Sequence, residues 1–167
     1  MSQDRLADIQ TSLDKLYEQL AGEEEAFLLE EEANKTRIQQ KIRKTWKRIR
    51  VFEQEYAQRL SQQIKRENLP ESIAEEITAD LVEEIEILEP LEKQNEVRLL
   101  LQQILIELRK PEIPASAKLK VALPIIPNVM SYELEGDTES VLRRLFPTFV
   151  KAYSGLKSIA KKKTSFS

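Results

Sequence analysis

The sequence predicts an all-α protein: an antiparallel, coiled-coil-like helical hairpin followed by a small helical bundle with a short irregular or β-like insert. Three observations favour this fold class. Apolar residues recur every three or four positions along most of the chain. Only 3 of the 167 residues are Gly, and strong helix formers such as Glu, Leu, Lys and Gln are abundant. Blocks of opposite net charge alternate along the chain, as expected for neighbouring helices that attract each other.

The first predicted helix has an apolar stripe with steps of three and four residues, which is the spacing of a coiled-coil seam. The acidic run 30–32 then leads to Ala33 and Asn34, where we expect the helix to end. The stripe consists of Leu6, Ile9, Leu13, Leu16 and Leu20.

A second predicted helix continues the seam. Its first half, 35–50, holds eight basic residues and no acidic residue. Antiparallel packing places this basic half against the acidic end of the first helix at 23–32, so residues 1–66 are interpreted as a helical hairpin. Exposed ion pairs contribute only about 0–1 kcal/mol each, so the apolar seam supplies most of the stability and the charges select the register. The seam residues of this helix are Ile38, Ile42, Ile49, Phe52 and Tyr56.

Residues 67–114 form an acidic helical segment with 4 basic and 13 acidic side chains. Its apolar positions run from Ile73 to Leu108, and Pro90 is expected to kink or restart the helix. Residues 115–136 are less regular. Leu119, Val121 and Leu123 alternate as in a strand, although a short helix also fits, and Pro124 and Pro127 argue against a continuous helix. We therefore predict an irregular or extended insert over 115–136.

Residues 137–167 predict a basic amphipathic C-terminal helix, interrupted at Pro147. Such a helix either packs on the bundle or lies on an anionic membrane, with its apolar face in the interface and its cations near the headgroups. The candidate membrane-binding residues are Arg143, Arg144, Phe146, Phe149, Lys151, Tyr153, Leu156 and Lys157.

The composition excludes most kinds of catalytic site. The chain has no Cys and no His, so it has no disulfide, no Cys/His zinc site, no thiol nucleophile and no Ser-His-Asp relay. Its few glycines do not form a phosphate-binding or dinucleotide-binding loop. The acidic clusters lack the spacing of a calcium-binding loop. We therefore predict a protein that is not an enzyme and has no cofactor or metal.

The termini and hydropathy indicate a cytoplasmic protein. Residues 1–8 are polar and no apolar segment of signal-peptide type follows them. The longest uncharged stretch, 121–132, is too short to cross a bilayer and contains two prolines. Attachment to the membrane surface through the C-terminal helix remains the alternative.

Two segments carry a resemblance to a known group of proteins. Residues 13–56, LDKLYEQLAGEEEAFLLEEEANKTRIQQKIRKTWKRIRVFEQEY, resemble helical-hairpin segments of multidomain cyanobacterial signalling and defence proteins, which combine them with NTPase, caspase-like or TIR modules. Residues 122–153 look like a C-terminal segment of the same kind of protein. The resemblance implies an adaptor or effector-associated role and transfers no catalytic residue.

The predicted function is therefore a protein-interaction or oligomerisation module in bacterial signalling or defence. In this interpretation the hairpin seam binds a partner helix or a second copy. The alternative is a peripheral membrane-binding or membrane-perturbing effector that uses the C-terminal helix. A third hypothesis, nucleic-acid binding by the basic block 41–50 with Trp46 stacking on a base, is disfavoured because the whole chain is acidic and no known binding motif accompanies the block.

Overall fold

The computed structural model describes residues 5–133 and 141–165, and throughout this part of the chain the regular structure is helical. The all-α fold class is therefore confirmed. A short 3-10 turn, Leu123–Ile125, joins the fifth and sixth helices. The helices are α1 (Arg5–Leu29), α2 (Glu32–Arg66), α3 (Glu71–Leu91), α4 (Asn95–Leu108), α5 (Ala115–Ala122), α6 (Ile126–Glu133) and α7 (Val141–Ser165).

Helices α1 and α2 pack side by side and run in opposite directions. Arg5, at the start of α1, contacts Glu55 of α2, whereas Glu23, nearer the end of α1, contacts Thr45. The turn between the helices comes earlier than predicted, at residues 30 and 31 rather than at Ala33 and Asn34. The helix dipole explains the difference, because glutamates stabilise the N-terminus of α2 and destabilise the C-terminus of α1.

Of the kink and the restart expected at Pro90, the structure has the restart, with α3 and α4 as separate helices. Helix α3 ends at Leu91, one residue after Pro90, and α4 begins at Asn95. The Glu89 side chain joins the two helices by accepting hydrogen bonds from Arg98 Nε at 2.7 Å and from Gln102 Nε2 at 2.9 Å. Pro90 has no backbone N–H to donate to the carbonyl four residues earlier, which favours the end of α3 at this point.

The prediction of an irregular or β-like insert is wrong for residues 115–133, which are helical. Pro124 lies in the first turn of the 3-10 segment and Pro127 in the first turn of α6. Backbone N–H groups in a first turn have no partner within the helix, so proline costs little there. Residues 134–136 lie outside the described part of the chain.

Helix α7 continues through Pro147, which was expected to interrupt it. Pro147 is exposed, so the carbonyl that loses its helical partner faces water. Helix α7 packs on α2, α3 and α6, while α4 and α5 complete the layer against α3. Residues 137–140 of the predicted C-terminal helix lie outside the described residues.

The buried apolar side chains of all seven helices belong to one cluster. In the described part of the chain, no helix is long and apolar enough to cross a lipid bilayer.

Candidate interaction surface

Most of the predicted seam is buried within this one chain. It holds α1 against α2, so it is not an exposed surface that a partner helix reaches directly. The buried members are Leu6, Ile9, Leu13, Leu16, Leu20, Ile49 and Tyr56, and the partly buried ones are Ile38, Ile42 and Phe52.

The apolar face of α7 is also buried. Phe146, Phe149, Tyr153 and Leu156 are each no more than 7% exposed. The Phe146 ring packs against two tyrosine rings, with its centroid 5.5 Å from that of Tyr17 and 5.4 Å from that of Tyr56. The residues proposed to enter a membrane therefore belong to the protein core.

The basic residues of α7 are placed at the rim of this contact. Lys151 Nζ lies 2.9 Å from Asp80 Oδ2 of α3, and this interaction raises the pKa of Lys151 above its ordinary value. The Arg143 guanidinium lies over the Tyr17 ring, and Lys157 lies over the Tyr153 ring. Arg144 is exposed. The acidic segment 67–114 thus supplies a partner for α7 inside the protein.

Trp46 is buried where α1, α2 and α7 meet. Its side chain is 4% exposed, and the guanidinium carbons of Arg50 and Arg143 lie 5.4 and 5.5 Å from the ring centroid. A base has no access to a ring packed in this way, so the structure removes the stacking residue from the nucleic-acid hypothesis.

A buried carboxyl group lies two turns beyond Trp46 on α2. Glu53 is fully buried and accepts a 2.7 Å hydrogen bond from the Tyr17 hydroxyl. Burial and the neighbouring Glu53 carboxyl raise the pKa of Tyr17 above its ordinary value, so the tyrosine remains the donor. This hydrogen bond holds the middle of α1 against the middle of α2.

Beyond this junction, α1 and α2 continue as a two-helix arm, defined here as residues 21–44. No residue of the arm is buried, although Leu20 and Thr45 on either side of it are. Leu28 and Leu29 at its tip are 78% and 81% exposed. Lys35 Nζ lies 5.3 Å from the centroid of the Phe27 ring, and the Asn34 side-chain amide donates a hydrogen bond to the Glu30 carboxylate. These local contacts hold the ends of the two helices together at the tip. The bundle therefore leaves the arm uncovered.

One face of the arm forms an open groove, here called the arm groove. Its floor is made of small or half-exposed side chains, and its two walls carry opposite charge: Glu23 of α1 and Glu30 of the following turn face Arg37 and Lys41 of α2. The full lining is Gln19, Gly22, Glu23 and Ala26 from α1, Glu30 from the turn, and Asn34, Arg37, Ile38 and Lys41 from α2.

The cations on this side of α2 form no ion pair with any other described residue. Their spacing of four, three and four residues places them on one exposed face of the helix. None of them takes part in an ion pair among the described residues, and Glu23 contacts the Thr45 hydroxyl rather than a cation. The expected pairing of the basic block with the acidic end of α1 is therefore not formed by these residues, which are Arg37, Lys41, Lys44 and Arg48.

Gly22 lies in the floor of the arm groove and has open space above it. A Cβ atom placed on Gly22 meets no atom within 4 Å, whereas one on Gly155 of α7 comes within 3.1 Å of Ile73 Cγ2. Close packing against Ile73 explains the absence of a side chain at position 155, whereas no contact within the chain explains it at position 22. The missing side chain leaves room for another molecule to approach the α1 backbone.

The described residues contain no group of three or more His, Cys, Asp or Glu side chains placed to hold a metal ion. No protein-family model, curated protein or solved structure matches this chain.

Proposed function

We propose that this chain is a non-catalytic protein-interaction module and that the α1–α2 hairpin binds its partner through the arm. One observation carries the proposal: the arm, 21–44, has no buried residue, yet it carries a groove whose charged walls form no ion pair with each other among the described residues. Exposed, organised surfaces of this kind are typical of recognition sites.

The proposed binding surface differs from the one that the sequence predicts. The seam is occupied by intramolecular packing, so a partner is expected on the outer face of the hairpin instead. A helix is the natural occupant, because two antiparallel helices leave a groove of helical dimensions between them. The charged walls then select the orientation of the bound helix.

The resemblance of segments 13–56 and 122–153 to cyanobacterial signalling and defence proteins supports a place in such a system. We propose an adaptor that works in the cytoplasm beside a separate effector, with the bundle of α3–α7 as the scaffold that holds the arm. Membrane binding is less well supported. Phe149 and its neighbours on α7 are buried, and the exposed Leu28 and Leu29 are followed by the glutamates 30–32, which an anionic membrane repels.

The test is site-specific photo-crosslinking in cells of the source organism, with the full chain carrying benzoylphenylalanine at one position at a time. Ala26 and Lys41 report on the arm groove, and the exposed residue Gln102 of α4 is the matched control. We expect discrete protein adducts from both arm positions and none from position 102. Absence of adducts at the arm, or equal adducts at all three positions, contradicts the proposal.

A further inference from the structure

We infer that the arm groove is covered by the α1–α2 hairpin of a second copy of this chain, whose own groove faces it, in a symmetric dimer. The inference rests on the proposed function, because it names the partner of the same surface. Three features of the hairpin support it: the charge on the two groove walls, the side of the hairpin that the bundle occupies, and the area of the outer face.

The charge pattern of the groove is self-complementary. A two-fold axis parallel to the hairpin places the α1 wall of each copy over the α2 wall of the other, with both tips pointing the same way. This rotation does not move residues along the hairpin axis, so residues at the same distance from the tip face each other across the dimer. Glu23 of one copy therefore lies opposite Lys41 of the other, and Glu30 lies opposite Arg37. The dimer thus contains two equivalent contacts, each between the acidic wall of one copy and the basic wall of the other.

The bundle does not obstruct this arrangement. Lys44 and Trp46 are two residues apart on α2, so they point to nearly opposite sides of the helix. Trp46 faces Arg143 of α7, and Lys44 is exposed on the side of the groove cations. In the dimer, the hairpins therefore meet in the middle and the two bundles lie outside.

The arm alone is too small for a stable contact, because its share of α1, residues 21–29, is about 14 Å long and two adjacent helices are about 20 Å wide, which gives roughly 270 Å² per copy. The outer face of the hairpin continues past the arm along α1, whose 25 residues are about 37 Å long, and over that length it offers roughly 700 Å² per copy. This is close to the ~800 Å² per partner of a standard interface, so we expect the contact to extend from the arm along the outer face of α1 and α2. Gly22 and Ala26 in the floor allow close approach of the backbones. Because most of the face is polar, association is expected to weaken with salt.

A charge swap tests the dimer directly. The basic wall is reversed in Arg37→Glu/Lys41→Glu and the acidic wall in Glu23→Lys/Glu30→Lys, and each variant has two like-charged walls. The control, Lys65→Glu/Lys93→Glu, makes the same charge change as the first variant at exposed positions outside the described ion pairs. Sedimentation velocity on the purified full chains gives the association constant at low and high salt, and circular dichroism checks that each variant is folded.

We expect the wild type and the control to dimerise at low salt, with less dimer at high salt. Each wall-reversal variant alone should associate at least about tenfold more weakly, because like charges then face each other. An equimolar mixture of the two reversal variants should restore the dimer, since both walls become complementary in the heterodimer.

A wild type that is monomeric at high concentration and low salt, or a mixture that stays monomeric, overturns the dimer. These outcomes are separable from failure of the proposed function. If the wild type is monomeric while positions 26 and 41 crosslink to a different protein in cells, the arm is still an interaction surface and only its occupant was wrong. If the wild type is monomeric and no crosslink forms at positions 26 and 41, the dimer and the proposed function are both contradicted.

Discussion

The Tyr17 hydroxyl donates a 2.7 Å hydrogen bond to Glu53, a carboxyl group with no exposure to solvent. This contact joins the middle of α1 to α2 inside the bundle, one turn before the arm begins on α1. A buried acceptor that loses a donor is costly, because its lost solvation is then not compensated. The contact therefore contributes to the position of the arm as well as to stability.

Tyr17→Phe should destabilise the protein by about 1–3 kcal/mol, since the ring is kept and only the donor to Glu53 is removed. Tyr56→Phe is the matched control. The Tyr56 hydroxyl is buried and has no hydrogen-bond partner among the described residues, so its removal should cost less than about 0.5 kcal/mol or stabilise the protein. Urea unfolding of both variants measures the difference. Equal losses in the two variants contradict this account.

Glu55 should make stability depend on acidic pH. The guanidiniums of Arg5 and Arg59, each 2.7 Å from Glu55 Oε2, lower the pKa of this carboxyl from 4.5 to about 2. A carboxyl with a lowered folded-state pKa stabilises the protein above its unfolded-state pKa, and this stability is lost as the pH falls toward the folded-state value. The free energy of unfolding should therefore fall more steeply between about pH 5 and about pH 2 in the wild type than in Glu55→Gln.

The control for the pH experiment is Glu75→Gln, which changes an exposed glutamate of α3 outside the described ion pairs. This variant should follow the wild type across the same pH range. Urea unfolding at several pH values gives both curves. A stability difference between wild type and Glu55→Gln that stays constant down to pH 2 rules out the ion pairs as its source.

Two helical glycines should respond in opposite ways to alanine. Gly22→Ala places its methyl group in open space and should stabilise the monomer by about 0.5–1 kcal/mol. Gly155→Ala brings its Cβ to 3.1 Å from Ile73 and 3.3 Å from Leu69, so this gain should be smaller or become a loss. Unfolding is measured at high salt and low protein concentration, where association through the arm is weakest. A larger gain at 155 than at 22 contradicts the packing described.

The position of α7 predicts a large difference between two apolar truncations. Phe149→Ala empties a site that is 1% exposed and should cost about 3–5 kcal/mol. Leu28→Ala changes a side chain that is 78% exposed and should alter stability by less than about 0.5 kcal/mol. The folded full chain should also stay in solution when anionic vesicles are sedimented. A small loss of stability in Phe149→Ala, or a wild type that pellets with the vesicles, favours the membrane alternative.

Periodicity predicts the packed faces of this protein well because burial requires regular spacing. Leu6, Ile9, Leu13 and their successors were identified from steps of three and four, and the structure buries them. The prolines were harder to interpret. A first-turn proline and a helix-breaking proline are the same residue, and only the neighbouring chain decides which role Pro127 has.

The buried polar junction was missed although a signal for it was present. Trp46, Arg50, Glu53, Ala57 and Leu60 recur at steps of four and three, so Arg50 and Glu53 occupy core positions of a second stripe on α2. Their charge makes them look like surface residues, and only the packing of α1 brings the Tyr17 hydroxyl to Glu53. The arm groove was hidden for a similar reason, because seam spacing does not reveal where the supporting bundle ends.

Trp46 is the only tryptophan in the sequence, so tryptophan fluorescence reports on this one site. A buried Trp46 supports the interaction module, whereas an accessible Trp46 supports nucleic-acid binding. A ring that is 4% exposed, with Arg50 and Arg143 over it, should emit at short wavelength, and acrylamide should quench it several-fold less than in the urea-unfolded chain. Oligo(dT) should leave the emission unchanged, since no base reaches the ring. A red-shifted, readily quenched Trp46, or salt-sensitive quenching by oligo(dT), contradicts the burial and restores the basic block 41–50 as a nucleic-acid surface.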